Sequence, residues 1–151
     1  QWLQQRASDG ICVVGNGGQL LGSGLGGEID RYRVVVRFNQ FRGSSSVAAD
    51  IGDHLDVWVT APGFSGAVPP GVPWVVVSGP DMAFRLHDWG RFEASQSWGA
   101  RVLTVPLLQW LELVSVLDAP PSAGTLFLAW VRSMLGSWGT ICSRRAAMPA
   151  G

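Results

Sequence analysis

Lysine does not occur in this chain; all 11 basic residues are arginine. That absence removes the lysine of a phosphate-binding P-loop, a Schiff-base lysine and a lysine general base together. Cysteine is nearly as scarce. Cys12 and Cys142 are too few for a disulfide scaffold and lack the spacing of a zinc site, which His54 and His87 are not arranged to complete. Charge is thin as well: 15% of residues are charged, the formal net charge is +0, and no basic run exceeds Arg144-Arg145. Binding nucleic acid by neutralising phosphates needs more than this. No stretch approaches the ~20 apolar residues of a membrane span. Gln1–Arg6 reads as neither a signal peptide nor an anchor. The expectation is a fragment, or a domain whose anchor lies outside this chain.

What the chain does have is apolar sequence. At 151 residues and 47% hydrophobic it can bury one proper core, and it is not disordered by composition. Short β-rich runs alternate with helical patterns, the signature of an α/β fold. Strands are predicted at Ile11–Val14, Val34–Phe38, Asp56–Thr60, Trp74–Ser78 and Val102–Val105, with a possible sixth at Gly139–Ser143. The runs are apolar throughout, as strands covered on both faces should be. Helices are predicted at Gly24–Tyr32, Asp81–Ser97, Pro106–Leu117 and Ser122–Leu135, the last the most buried. Pro106 suits a first helical position, and Ser122 can cap the helix it opens. Ala61–Pro73, with four prolines and three glycines, is a loop. The expected architecture is a single Rossmann-like domain over 1–143, a mostly parallel central sheet flanked by helices, with a loose tail at 144–151.

The most informative stretch runs from Ile11 to Asp30. A buried strand reaches Gly15-Asn16-Gly17-Gly18 and the chain then opens into a helix. Glycines there let the backbone turn and let a ligand approach main-chain N–H groups, and open α/β sheets bind nucleotides at this edge. The plain alternative is a tight strand-to-helix connection, but a carboxamide at Asn16 adds both a donor and an acceptor to the loop. Gly22-Ser23-Gly24-Leu25-Gly26-Gly27 also satisfies the G-x-G-x-x-G spacing of a dinucleotide fold. Its first glycine lies well past the strand, and Arg37 stands where an acidic residue belongs. An NADP-binding oxidoreductase tolerates that arginine and remains an alternative.

Cys12-Val13-Val14-Gly15-Asn16-Gly17-Gly18, Gly22-Ser23-Gly24, Glu28-Ile29-Asp30, Val36-Arg37-Phe38-Asn39-Gln40 and Asp50-Ile51-Gly52 together resemble the large sialylmotif of the eukaryotic-type sialyltransferases, glycosyltransferase family 29. Pro121-Ser122-Ala123-Gly124, opening an apolar helix, is similar to the small sialylmotif over 120–135. The resemblance implies a variant of the GT-A arrangement that transfers sialic acid from CMP-sialic acid to a sugar hydroxyl with inversion. It implies no metal and no cofactor beyond the donor, with a nucleotide sugar and a glycan as partners. Asn16 and Asn39 would bond the CMP phosphate and ribose. Gly15, Gly17 and Gly18 would leave room for the nucleotide, and Ser122, Ala123 and Gly124 would set helix-start N–H groups beside it. Localisation would be the Golgi lumen for a eukaryotic protein with an N-terminal anchor.

The chain departs from that pattern in three places. Asp53-His54-Leu55 follows Asp50-Ile51-Gly52 where the family has a polar residue and Arg-Thr. Leu135 replaces the small-motif cysteine that pairs with the large-motif one, so Cys12 and Cys142 are expected as free thiols. The later His-x-x-x-x-Glu segment with its general-base histidine is missing, because His87 and Glu93 have the wrong spacing and precede the small motif. No catalytic residue is identified. His54, placed nearer the ligand edge, is a weak substitute base. The expectations are CMP binding with poor or no transfer by this chain alone, either as an incomplete enzyme or as a non-catalytic CMP-sugar-binding homologue.

Overall fold

The computed structural model describes residues 10–40, 46–79 and 90–135. Five parallel strands form the sheet among them: β1 (Ile11–Val14), β2 (Val34–Phe38), β3 (Val57–Thr60), β4 (Trp74–Val77) and β5 (Arg101–Thr104). The helices are α1 (Gly26–Ile29), α2 (Ala48–Ile51), α3 (Gly90–Gln96), α4 (Leu107–Leu117) and α5 (Ala123–Leu135). β1 and β2 fall where the β-branched runs place them, and the other strands lie within one residue of expectation. β3 starts at Val57 because the Asp56 carboxylate takes the Val35 N–H at 2.8 Å, where a ladder carbonyl would otherwise accept. The possible strand at Gly139–Ser143, the tail from 144 and the first half of the helix predicted from Asp81 lie outside the described residues.

The strands stand in sequential order, β1-β2-β3-β4-β5, every neighbour parallel. Right-handed crossovers between strands added always on the same side must all lie on one face. Ile29 of α1 accordingly packs with Cys12, Val14 and Val35, while Val68, Val72 and Phe92 pack with Trp58, Val75 and Val77. The β3–β4 connection is the expected loop, and it contributes buried Val68 and Val72 in place of a helix. Cys12 is fully buried, as a small apolar side chain should be; Cys142 lies outside the described residues.

The opposite face is covered by α5. Its Leu126, Phe127 and Val131 sit on Ile11, Val34, Val36, Phe38, Val57, Val59 and Val76, with Trp110 and Leu113 of α4 at the margin. Phe127 meets the Phe38 ring edge-on at 6.0 Å. Burying Leu126 and Phe127 contributes about 1.5–3 kcal/mol each. Two expectations are corrected here. Among the described residues β5 is an edge strand, and its Arg101, Leu103 and Thr104 are exposed, so it is not covered on both faces. Its Arg101 guanidinium lies over the Trp74 ring at 5.0 Å. Pro106 caps α4 from outside, its carbonyl accepting the Gln109 N–H, and is not its first helical residue.

Candidate functional site

β1, β2 and α5 bring their ends together at the carboxyl edge of the sheet. Gly15–Gly18 follow β1 directly, Asn39 follows β2, and α5 starts at Ala123. The Asn16 amide donates through Nδ2 to the Phe38 carbonyl at 3.0 Å, which leaves its Oδ1 as an acceptor. Asn39 is arranged the other way. Its Oδ1 accepts the Ala61 N–H at 3.0 Å, so its Nδ2 remains as a donor. Its backbone stands at φ 40, a left-handed conformation that asparagine tolerates better than most residues, and its carbonyl takes the buried Trp58 Nε1–H at 2.9 Å. The start of α5 is held by two hydroxyls. Ser122 Oγ accepts the Thr125 N–H at 3.1 Å as the anticipated cap. Buried Ser78 donates to the Ala123 carbonyl at 3.0 Å and ties the helix to the end of β4.

These groups line a cavity of about 450 Å³: Gly15, Asn16, Phe38, Asn39 and the run Ser122–Thr125. Six of the eight sequence-predicted binding residues meet there. The other two, Gly17 and Gly18, line an adjoining cavity of about 300 Å³ with Gly15, Asn16, Leu21, Arg37, Val47 and Ile51. Gly15 and Asn16 line both. Phe38 and Ser78 were missed by the sequence reading. A lone serine closing an apolar strand run was the available signal for Ser78.

Behind the loop, two one-turn helices are clasped by two carboxylates. Asp50 of α2 accepts the Gly22 N–H at 2.8 Å and the Gly24 N–H at 2.9 Å. These bonds, Gly22 first, lower its pKa from the ordinary carboxylate value. Asp30, closing α1, accepts the Asp53 N–H at 3.1 Å and the His54 N–H at 2.9 Å. The helices touch backbone to backbone: a Cβ on Gly26 would lie 2.7 Å from the Ala49 carbonyl oxygen and 2.8 Å from the Gly52 nitrogen. Arg37 is buried under this crossing, with Nη2 on the Ile51 carbonyl at 2.7 Å and Nε on the His54 carbonyl at 2.9 Å. Burial pushes its pKa down, against the pull of Asp30.

This arrangement removes the support for the dinucleotide alternative. Two N–H groups of its G-x-G-x-x-G segment are taken by the Asp50 carboxylate, and the arginine meant for a ribose phosphate is committed to backbone carbonyls. His54 is also corrected. It precedes β3, so it sits at the amino edge of the sheet, where its Nε2 meets the Asp56 carboxylate at 3.0 Å. Asn16 and Asn39 lie at the opposite, carboxyl edge. His87 lies outside the described residues, and these contain no group of three or more potential metal-ligating side chains.

Residues 4–68 match the model of glycosyltransferase family 29 (sialyltransferase). The chain is sialyltransferase-like. Its fold is similar to that in the crystal structure of a mammalian sialyltransferase, with a TM-score of 0.66 and 17% identity over 87% of this chain and 52% of that one. The sialyltransferase-like chain thus spans about half the length of that relative. No curated protein sequence matches it. The matched span contains the glycine loop, both clasping carboxylates and Asn39, whereas the start of α5 lies beyond it.

Proposed function

We propose that the larger cavity holds the nucleotide of a CMP-activated acidic sugar, sialic acid being the donor the family resemblance favours. The observation that carries this reading is the convergence of Asn16, Asn39 and Ser122–Gly124, drawn from both ends of the chain, on one 450 Å³ space. That volume falls within the roughly 300–1,000 Å³ of small-molecule sites. The donor groups match a phosphodiester. Asn39 Nδ2 and the first-turn N–H groups of α5 point positive charge at an anion, and the helix dipole adds to it. Asn16 Oδ1, an acceptor, suits a ribose hydroxyl.

Gly15 supports the same reading from its surroundings. Beyond its chain neighbours, a Cβ there would meet no described residue within 4 Å, so none of these requires glycine at this position. A ligand lying against the backbone does require it.

In transfer, the acceptor hydroxyl attacks the anomeric carbon while the bond to the phosphate oxygen breaks. The electron pair leaves on the phosphate, where prearranged N–H groups stabilise it. The hydroxyl proton needs a base, and such a base contributes roughly 10²–10⁴-fold. Among the described residues, no side chain lining the cavity takes a proton near neutral pH. That observation favours a second reading, in which these residues bind the donor and the base belongs to a different segment or is lacking.

Calorimetric titration with CMP tests the first reading, and CMP-sialic acid turnover on galactose-terminated acceptors separates it from the second. Binding of CMP but not NADPH is expected; absence of CMP binding overturns the proposal.

A further inference from the structure

We infer that Asp50 is a positioning residue for the nucleotide loop, its carboxylate fixing the segment whose Gly15 and Asn16 line both cavities; the inference rests on the nucleotide reading above. Asp50 belongs to α2 and touches neither cavity, yet it reaches 28 residues back to grip Gly22 and Gly24. The same turn is seated further by Ser23, whose hydroxyl donates to the Asp50 carbonyl at 3.4 Å.

From this grip a continuous run of turn bonds leads to the loop. The Ser23 N–H donates to Leu20 at 3.0 Å, and the Leu21 N–H to Gly18 at 3.1 Å. The smaller cavity has Gly15–Gly18 and Leu21 on one wall and Val47 and Ile51, around α2, on the other. Asp50 therefore ties together the two walls whose separation sets that space. Gly15 and Asn16 belong to both cavities, so a displacement of the loop is felt at the nucleotide.

Asp30 supplies the internal control. It is a carboxylate on the same helix pair, also accepting two backbone N–H groups, but these come from Asp53 and His54 and not from the loop, and its ion pair with Arg37 is long at 3.8 Å. A role confined to holding α1 against α2 makes the two carboxylates equivalent. A positioning role separates them.

The test compares Asp50→Asn and Asp30→Asn, each of which keeps one acceptor oxygen and the side-chain volume. Thermal midpoint, CMP affinity by calorimetry and amide hydrogen exchange are measured for both. Asp50→Asn should weaken CMP binding about five- to ten-fold and speed exchange at Gly22, Gly24 and Gly15–Gly18. Asp30→Asn should lower the midpoint at least as much while leaving CMP affinity within about two-fold. Equal affinity losses in the two variants, or parent-like CMP binding by Asp50→Asn, overturn the inference. If the parent binds no CMP, the nucleotide reading falls by itself. Exchange then decides the positioning role, and unaltered protection at Gly15–Gly18 in Asp50→Asn refutes it.

Discussion

Gly15 and Gly52 are both glycines beside short helices, and they are glycines for opposite reasons. At Gly52 the fold demands the residue. Its φ is +70, and a Cβ would sit 2.7 Å from Asp30 Cγ and 2.9 Å from the Gly26 carbonyl oxygen. At Gly15 no described residue beyond its own chain neighbours stands within 4 Å of the missing Cβ. One absence of a side chain is filled by protein and the other is open. The difference teaches that a glycine-rich motif need not have one purpose: here it contains a crossing that closes the fold and a loop that leaves space for something else.

The largest effect should come from the filled position. Gly52→Ala forces overpacking and a left-handed backbone together and is expected to cost about 3 kcal/mol or more in urea unfolding. A parent-like transition would abolish the contrast. Next comes Asn39→Asp, which keeps the oxygen that accepts Ala61 N–H but turns the outward donor into an anion. Calorimetry should show CMP binding weakened by about 2–3 kcal/mol with the fold retained. Gly15→Ala should then lose about ten-fold in CMP affinity while its unfolding free energy stays level or rises by about 0.4–1 kcal/mol. A fall in stability without a fall in affinity would place Gly15 with Gly52. Ser122→Ala removes the α5 cap and should cost about 1 kcal/mol of stability.

The smallest effect is the acid limb. Asp50 has a lowered pKa in the folded chain, so its contribution is complete above the ordinary carboxylate range and fades as pH falls through the lowered value. An Asp50→Asn variant should therefore lose less stability than the parent over that acid interval, measured by urea unfolding at successive pH values.

The strands were legible in the sequence because Val34-Val35-Val36 and Val75-Val76-Val77 carry the β-branched signal locally and are buried on both faces. The meeting of Asn16 with Asn39 was legible too, from two strand ends in parallel register. The cap at Ser122 needed only its neighbours. Bonds across the chain left no such trace. Asp50 finds Gly22 across 28 residues and Ser78 finds Ala123 across 45, and neither has a local pattern that announces its partner. His54 was assigned to the wrong edge although only Leu55 and Asp56 separate it from the start of β3. A residue just before a strand that runs parallel to β1 lies at the amino edge, away from the loop that follows β1. Arg37 kept the NADP alternative open because such an enzyme tolerates an arginine there; burial under the α1–α2 crossing gave the guanidinium backbone carbonyls to hold.

The sequential strand order also carries a consequence for how the chain comes to its folded state. Each strand pairs with its predecessor after one short excursion, so the sheet can lengthen in the order in which residues are joined. Its second face has no such immediacy. Val34, Val36, Val57 and Val59 wait for Leu126, Phe127 and Val131, which arrive 67 to 97 residues later by the numbering. A nascent chain that has reached Thr104 therefore presents a flat, valine-rich surface to its surroundings, a window in which aggregation competes with completion. α5 closes that window as well as building the pocket, so slowing its arrival would be felt first as lost yield, before any change in what the finished protein binds.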